Sequence, residues 1–262
     1  MSKKRVILLG RKVGAGKALS WLLKHNVEVP LVVVQPEETG EESLGSIARK
    51  HGIPVLRGSK KLYTLIAKND RRIRNVNVVV SYLCAERIRQ PLIDLASHGC
   101  VNFHPAPLPD YKSRAGYNTA ILDGKKNYGV SVHYIDSEKF DDGPIINVLR
   151  FAIDSEKETA YSLEKKSQQN LFKLFEQTTP RLLVHKRLKT TPNKGGLYLT
   201  SAQLEALKVV KPTDSRDVID RKIRAFFFPP HNGAMIEIGG KRYTLLNHAV
   251  LELMNTLLKQ KI

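Results

Sequence analysis

The chain has 262 residues, 42% of them hydrophobic, enough for one moderate domain with an appendage. It contains no run of eighteen apolar residues, which excludes a transmembrane helix from the reading. Its 43 Lys and Arg against 25 Asp and Glu leave a formal charge of +18, but the cations are scattered, with denser patches at 60–61, 68–74 and 186–194. No aromatic-interleaved basic motif accompanies them, so nucleic acid is not the expected partner and much of the charge reads as a solvated face.

In chain order, basic Met1–Arg5 precedes apolar Val6–Gly10, a run too short for a signal-peptide core and stopped by Arg11 and Lys12. The expected location is the cytoplasm. Buried strands are predicted at 5–9, 30–34, 54–56, 76–81 and 100–103, and helices at 16–24, 43–51, 61–67 and 91–97. Such alternation predicts an α/β fold, a Rossmann-like, mostly parallel twisted sheet with helices on both faces. Two further β segments, 129–135 and 145–153, flank an acidic turn, and a long amphipathic helix over 159–183 is expected to end near Thr178-Thr179-Pro180. A polar, Gly-rich stretch at 190–196 sets the boundary. Residues 1–190 are expected to form the main domain and 191–262 a small C-terminal helix and β-hairpin unit, with a helix near 215–224 and a hairpin over 234–246 turning at Gly239-Gly240.

Ligands of parallel sheets bind at the carboxyl ends of strands. Asn102 and His104 lie at such an end, and alternate strand residues share a face, so both can enter one cleft. Asp141 follows in a D-x-G turn. An amide donor, an imidazole and a carboxylate suit acyl transfer: one group for an oxyanion, one for protons, one to tune the second. Metal binding through His98, His104, His133 and Asp141 has no supporting spacing, and no metal is expected. His133 reads as packing, or as a hydrogen-bonding partner behind these groups. Gly10, Gly14 and Gly16 match neither a phosphate-loop nor a dinucleotide spacing and read as a tight strand-to-helix turn, with a phosphate contact at the helix start as the alternative. Cys84 and Cys100, both in apolar surroundings, read as buried thiols.

The wording Asn102-x-His104-Pro105-x-x-Leu108-Pro109, then Asp141-x-Gly143, resembles the formyltransferases that use 10-formyltetrahydrofolate, and the likeness spans Val6–Leu183. It implies that Asn102 binds the oxyanion, protonated His104 adds charge, and Asp141 favours that charge and accepts protons. It further implies folate contacts at Cys84, Arg87 and Ile88 in the loop 82–89, and at Asp136 and Asp141. Tyr111-Lys112-Ser113 departs from the family's Tyr-Arg-Gly, which puts acceptor contacts in doubt more than chemistry. Residues 116–121, 219–234 and 235–244 resemble the nucleotide-sugar N-formyltransferases. The implied acceptor is an amino-dideoxysugar linked to dTDP or GDP, with Arg114 and Arg224 at the diphosphate and Tyr117, Asn118 and Phe226 at base or sugar, although Phe226–Phe228 reads equally well as core. The same resemblance implies a homodimer held partly by the C-terminal unit. Methionyl-tRNA formyltransferase is the alternative, favoured by the charge and disfavoured by the short C-terminal part; a non-catalytic protein would have no reason to keep all three catalytic groups.

Overall fold

The computed structural model describes residues 3–35 and 40–259, so Met1 and Ser2 of the basic start lie outside the described residues. In chain order it contains β1 (Val6–Gly10), α1 (Lys12–Lys24), β2 (Val32–Val34), α2 (Leu44–Lys50), β3 (Val55–Arg57), α3 (Lys60–Ala67), β4 (Val78–Tyr82), β5 (Cys100–His104), β6 (Tyr111–Lys112), α4 (Gly116–Leu122), β7 (Asn127–Tyr134), β8 (Ile145–Ala152) and α5 (Ala160–Val184). There follow β9 (Leu197–Tyr198), α6 (Ser201–Leu207), α7 (Arg216–Phe226), β10 (Met235–Ile238), β11 (Lys241–Thr244) and α8 (His248–Lys259). Seven strands form one sheet in the order β3-β2-β1-β4-β5-β7-β8, parallel up to β5, with β7 and β8 antiparallel. The alternation of β1 shows why both faces must be covered. Val6 and Leu8 enter a core with Leu19 and Phe175 of α1 and α5, whereas Ile7 and Leu9 enter one with Leu62 and Leu92 on the other side. Among the described residues no helix is long and apolar enough to cross a membrane.

Three local expectations fail for identifiable reasons. Residues 91–97 form turns instead of a helix: Ser97 and His98 donate their backbone N–H to Val76 and Asn77, which draws the chain back to the sheet before a helix can propagate. Helix α1 begins at Lys12, four residues early. Helix α5 runs through Pro180 to Val184, because Leu182 and Leu183 are buried in the core and the Leu182 carbonyl accepts the His98 Nδ1–H bond at 2.7 Å. Helices α4, α6 and α8 were not anticipated.

Beyond residue 190, Ala225 and Phe226 of α7 pack with Tyr111, Tyr128 and Leu163 of the main body. A smaller core joins Val210, Ile223, Phe227, Ala234 and Val250. The hairpin β10–β11 is shallowly held, with Ile238 60% and Tyr243 50% exposed.

Candidate active site

The sheet register aligns Ser81 of β4, Asn102 of β5 and His133 of β7 as direct neighbours, so three polar side chains form a row across the sheet. Two residues on, His104 points the same way. The turn after β7 adds Asp141. Its glycine is required, since a Cβ at Gly143 would collide with the Tyr134 carbonyl oxygen. Ser131 on β7 holds the proline loop after β5: its hydroxyl donates to the Ala106 carbonyl and accepts from the Leu108 N–H, each at 2.8 Å. Lys12, Leu83, Ser113 and Asp141 all have positive φ (63°, 58°, 67° and 51°) and all line the cleft. Such conformations cost ~1–3 kcal/mol each and persist where surrounding structure over-determines them.

The proton positions follow from chemistry. The His104 Nε2 lies 3.1 Å from the Tyr111 carbonyl oxygen, which can only accept, so Nε2 carries the hydrogen and Nδ1 faces Asp141 Oδ1 at 3.3 Å. The His133 Nδ1 likewise donates to the Tyr134 carbonyl at 2.8 Å, leaving Nε2 as an acceptor. The Asn102 Nδ2 lies 3.2 Å from both His133 Nε2 and Asp141 Oδ1, which are 3.4 Å apart. That triangle subtends about 64° at Nδ2, while the two hydrogens of a planar amide diverge by about 120°. One hydrogen is therefore shared between the two acceptors, and the other is free for an incoming oxygen.

Burial pulls the His104 imidazolium below the usual histidine range, against the opposing pull of Asp141. Burial thus works against the charged ring that the sequence leads one to expect, and the Asp141 carboxylate facing Nδ1 works for it. Burial by itself would raise Asp141, but the charge His104 can carry and the Ser113 N–H, which donates to Oδ2 at 2.9 Å, hold its carboxyl well below the usual range. The cluster can accept a proton at Nδ1, stabilise the resulting cation, and donate a hydrogen bond to an oxyanion.

The cleft has a volume of about 1040 Å³. Cys84, Arg87 and Ile88, in the loop after β4, line it, and the Arg87 guanidinium lies over the Phe140 ring at 5.3 Å. Burial pushes the Cys84 thiol up to about 11, which disfavours its thiolate. Asp136 is exposed, with its carboxylate beside Gly143, and its neighbours Ile135 and Ser137 line the cleft. Arg114, Tyr117, Asn118 and Phe226 also line the cleft, as do Lys12, Lys208, Phe228 and His231. Arg224 does not reach it. The side chain is buried, donating Nε to Asp220 and Nη1 to the Ser155 and Glu158 carbonyls, and serves to dock α7 on the loop before α5. Asn118 donates to the Ala225 carbonyl at 2.7 Å, and Phe226 belongs to the core while one edge meets the cleft. Sequence reasoning missed Ser81, Lys12, Lys208 and Phe228. Of these only Ser81 carried a signal, as the one polar residue within the apolar run of β4.

Among the described residues, no group of three His, Cys, Asp or Glu could hold a metal ion. The profile of the formyl transferase family matches residues 4–179. GDP-perosamine N-formyltransferase of Brucella melitensis is 28% identical over 249 residues, covering 91% of each chain. Methionyl-tRNA formyltransferase of Myxococcus xanthus is 28% identical over 253 residues, covering 92% of this chain and 78% of that one. Among solved structures, a sugar N-formyltransferase from a Shewanella species superposes with a TM-score of 0.73 at 17% identity, over 93% of this chain and 97% of the other. An N-formyltransferase from Helicobacter canadensis, solved with folinic acid and dTDP-3-aminofucose, superposes with a TM-score of 0.72 at 19% identity, over 90% and 85%.

Proposed function

This chain belongs to the formyl transferase family, and we propose that it carries a formyl group from 10-formyltetrahydrofolate to the amine of a nucleotide-linked amino-dideoxysugar. The observation that carries the reading is the C-terminal part. The GDP-perosamine enzyme matches this chain over nearly its whole length, whereas the methionyl-tRNA enzyme is longer than the match. After residue 190 the described residues here form helices and short strands, with one two-stranded hairpin and no barrel.

The acceptor amine attacks the formyl carbon, forming a C–N bond and an oxyanion, and the free Asn102 N–H receives that oxyanion. A preorganised donor of this kind is worth ~3 kcal/mol of barrier. His104 Nδ1 takes the proton shed by the attacking nitrogen, and Asp141 stabilises the imidazolium. Collapse breaks the bond from the formyl carbon to the folate nitrogen, and His104 returns the proton to that nitrogen. We place the folate against Cys84, Arg87 and Ile88, and the acceptor against Arg114, Tyr117 and Asn118, with Lys12 and Lys208 as the cations facing its phosphates. The cytoplasm is the location we assign.

We also assign a homodimer. The hairpin and α8 leave Ile238, Tyr243, Leu246, Leu251 and Leu258 at least 40% exposed, more apolar surface than a short hairpin covers by itself. Sedimentation at micromolar concentration should give a dimer, and a monomer sinks this part.

The deciding experiment is a thermal-shift and formyl-transfer panel of dTDP-, GDP- and UDP-aminosugars against initiator tRNA. A ligand at 100 times its Kd stabilises by ~2.7 kcal/mol. An aminosugar should both stabilise the protein and be formylated. The charge of +18 favours tRNA retention, which should weaken steeply with salt. Formyl-methionyl-tRNA made at a rate rivalling any aminosugar would overturn the reading.

A further inference from the structure

We propose that Ser81 is a positioning residue for formyl transfer, its hydroxyl locking the Asn102 amide so that the free N–H stays aimed while the proton network around it changes. The proposal rests on the acyl-transfer role assigned to Asn102 above.

Ser81 is the one polar residue among Val78–Tyr82 in β4 and is 2% exposed. A hydroxyl buried inside a strand is costly unless it is bonded. Its side-chain bond is a donation from Oγ to Asn102 Oδ1 at 2.7 Å. Ser81 and Asn102 are register neighbours, so the contact is set by the sheet itself, without a loop. The far side of the amide is held differently. The shared Nδ2 hydrogen rests on His133 Nε2 and on Asp141 Oδ1, and that same Oδ1 faces His104 Nδ1 at 3.3 Å. When His104 gains a proton, Asp141 Oδ1 is drawn into a charge-assisted bond with it, and its hold on Asn102 weakens at the moment the oxyanion exists. Ser81 carries no charge that changes during the reaction. Its bond holds the amide oxygen and stays constant through the cycle, while on the nitrogen side only the contact with His133 does so.

The test is a double-mutant cycle between Ser81→Ala and Asn102→Ala, reading kcat and KM for 10-formyltetrahydrofolate. Water serves as a second acceptor, so that formyl loss is measurable without any amine. Ser81→Ala should lower kcat about tenfold with KM unchanged within twofold, and Ser81→Thr, which keeps the hydroxyl, should restore most of it. On the Asn102→Ala background, Ser81→Ala should change the residual rate less than twofold, because a residue acting through Asn102 has nothing left to position. Equal losses on both backgrounds, or a Ser81→Ala rate within twofold of wild type, would overturn the proposal. If the alanine variant is too unstable to purify, Ser81→Cys keeps the size and donates weakly; it should fall between serine and alanine, and a wild-type rate for it also overturns the idea. Should no aminosugar be formylated, the acceptor assignment fails while the Ser81 effect remains readable in the reaction with water.

Discussion

The floor of the cleft and its acceptor wall are held in opposite ways. On the floor, Asn102, His133 and Asp141 each contact at least two neighbours, and His104 is clamped between the Tyr111 carbonyl and Asp141. The wall is looser: Arg114 is exposed, Tyr198 is 52% exposed, and α6 buries none of its residues. The groups proposed for the chemistry, which need sub-ångström placement, sit on sheet register, and the wall proposed for the acceptor sits on elements that can change without disturbing them.

The strongest way to break this contrast is on the floor. Asn102→Ala, His104→Ala and Asp141→Ala should each lower kcat by about a hundredfold or more while circular dichroism stays native. Any of the three retaining above a tenth of wild-type turnover would remove that residue from the mechanism. The next largest effect separates the two arginines first assigned to phosphate. Arg224→Ala should destabilise by ~2–4 kcal/mol, since it strips buried carbonyls of their partner, with little change in acceptor KM once folded. Arg114→Ala should do the reverse, raising acceptor KM several-fold with the melting temperature unchanged. Truncation after residue 190 tests the same division at the scale of the whole unit. It exposes the core face that Phe226 covers, so efficient formylation of an aminosugar by the truncated chain would remove the C-terminal unit from acceptor binding.

The smallest expected effect is in the pH profile. His104 titrates below its usual range because it is buried, so kcat/KM should fall on the acid side with a midpoint below about 6.5. Asp141 opposes that shift, so Asp141→Asn should move the midpoint of the residual activity further acid, and a move to higher pH would contradict the pairing. Stability follows the same sign. The unfolded chain binds the histidine proton first, so the His104 contribution is lost as pH drops through about 6.5. Asp141, held low in the fold, contributes above about 4 and loses that contribution as pH falls towards its folded value.

The sequence by itself marked the seven strands of the main sheet and the three groups proposed for the chemistry. Continuous Val, Ile and Leu runs leave little choice but a doubly covered sheet, and residues two apart at a strand end must share a face. It could not rank the arginines. Arg114 and Arg224 look alike in a sequence, and only the docking of α7 decides that one is exposed on the cleft and the other buried against the Ser155 and Glu158 carbonyls. The turns at 91–97, the passage of α5 through Pro180 and the bond from Ser81 to Asn102 have the same origin. Each depends on a partner far away in the chain, at separations from 21 to 84 residues for the bonds involved. Local periodicity reports which face is buried; what that face meets is decided when the elements pack.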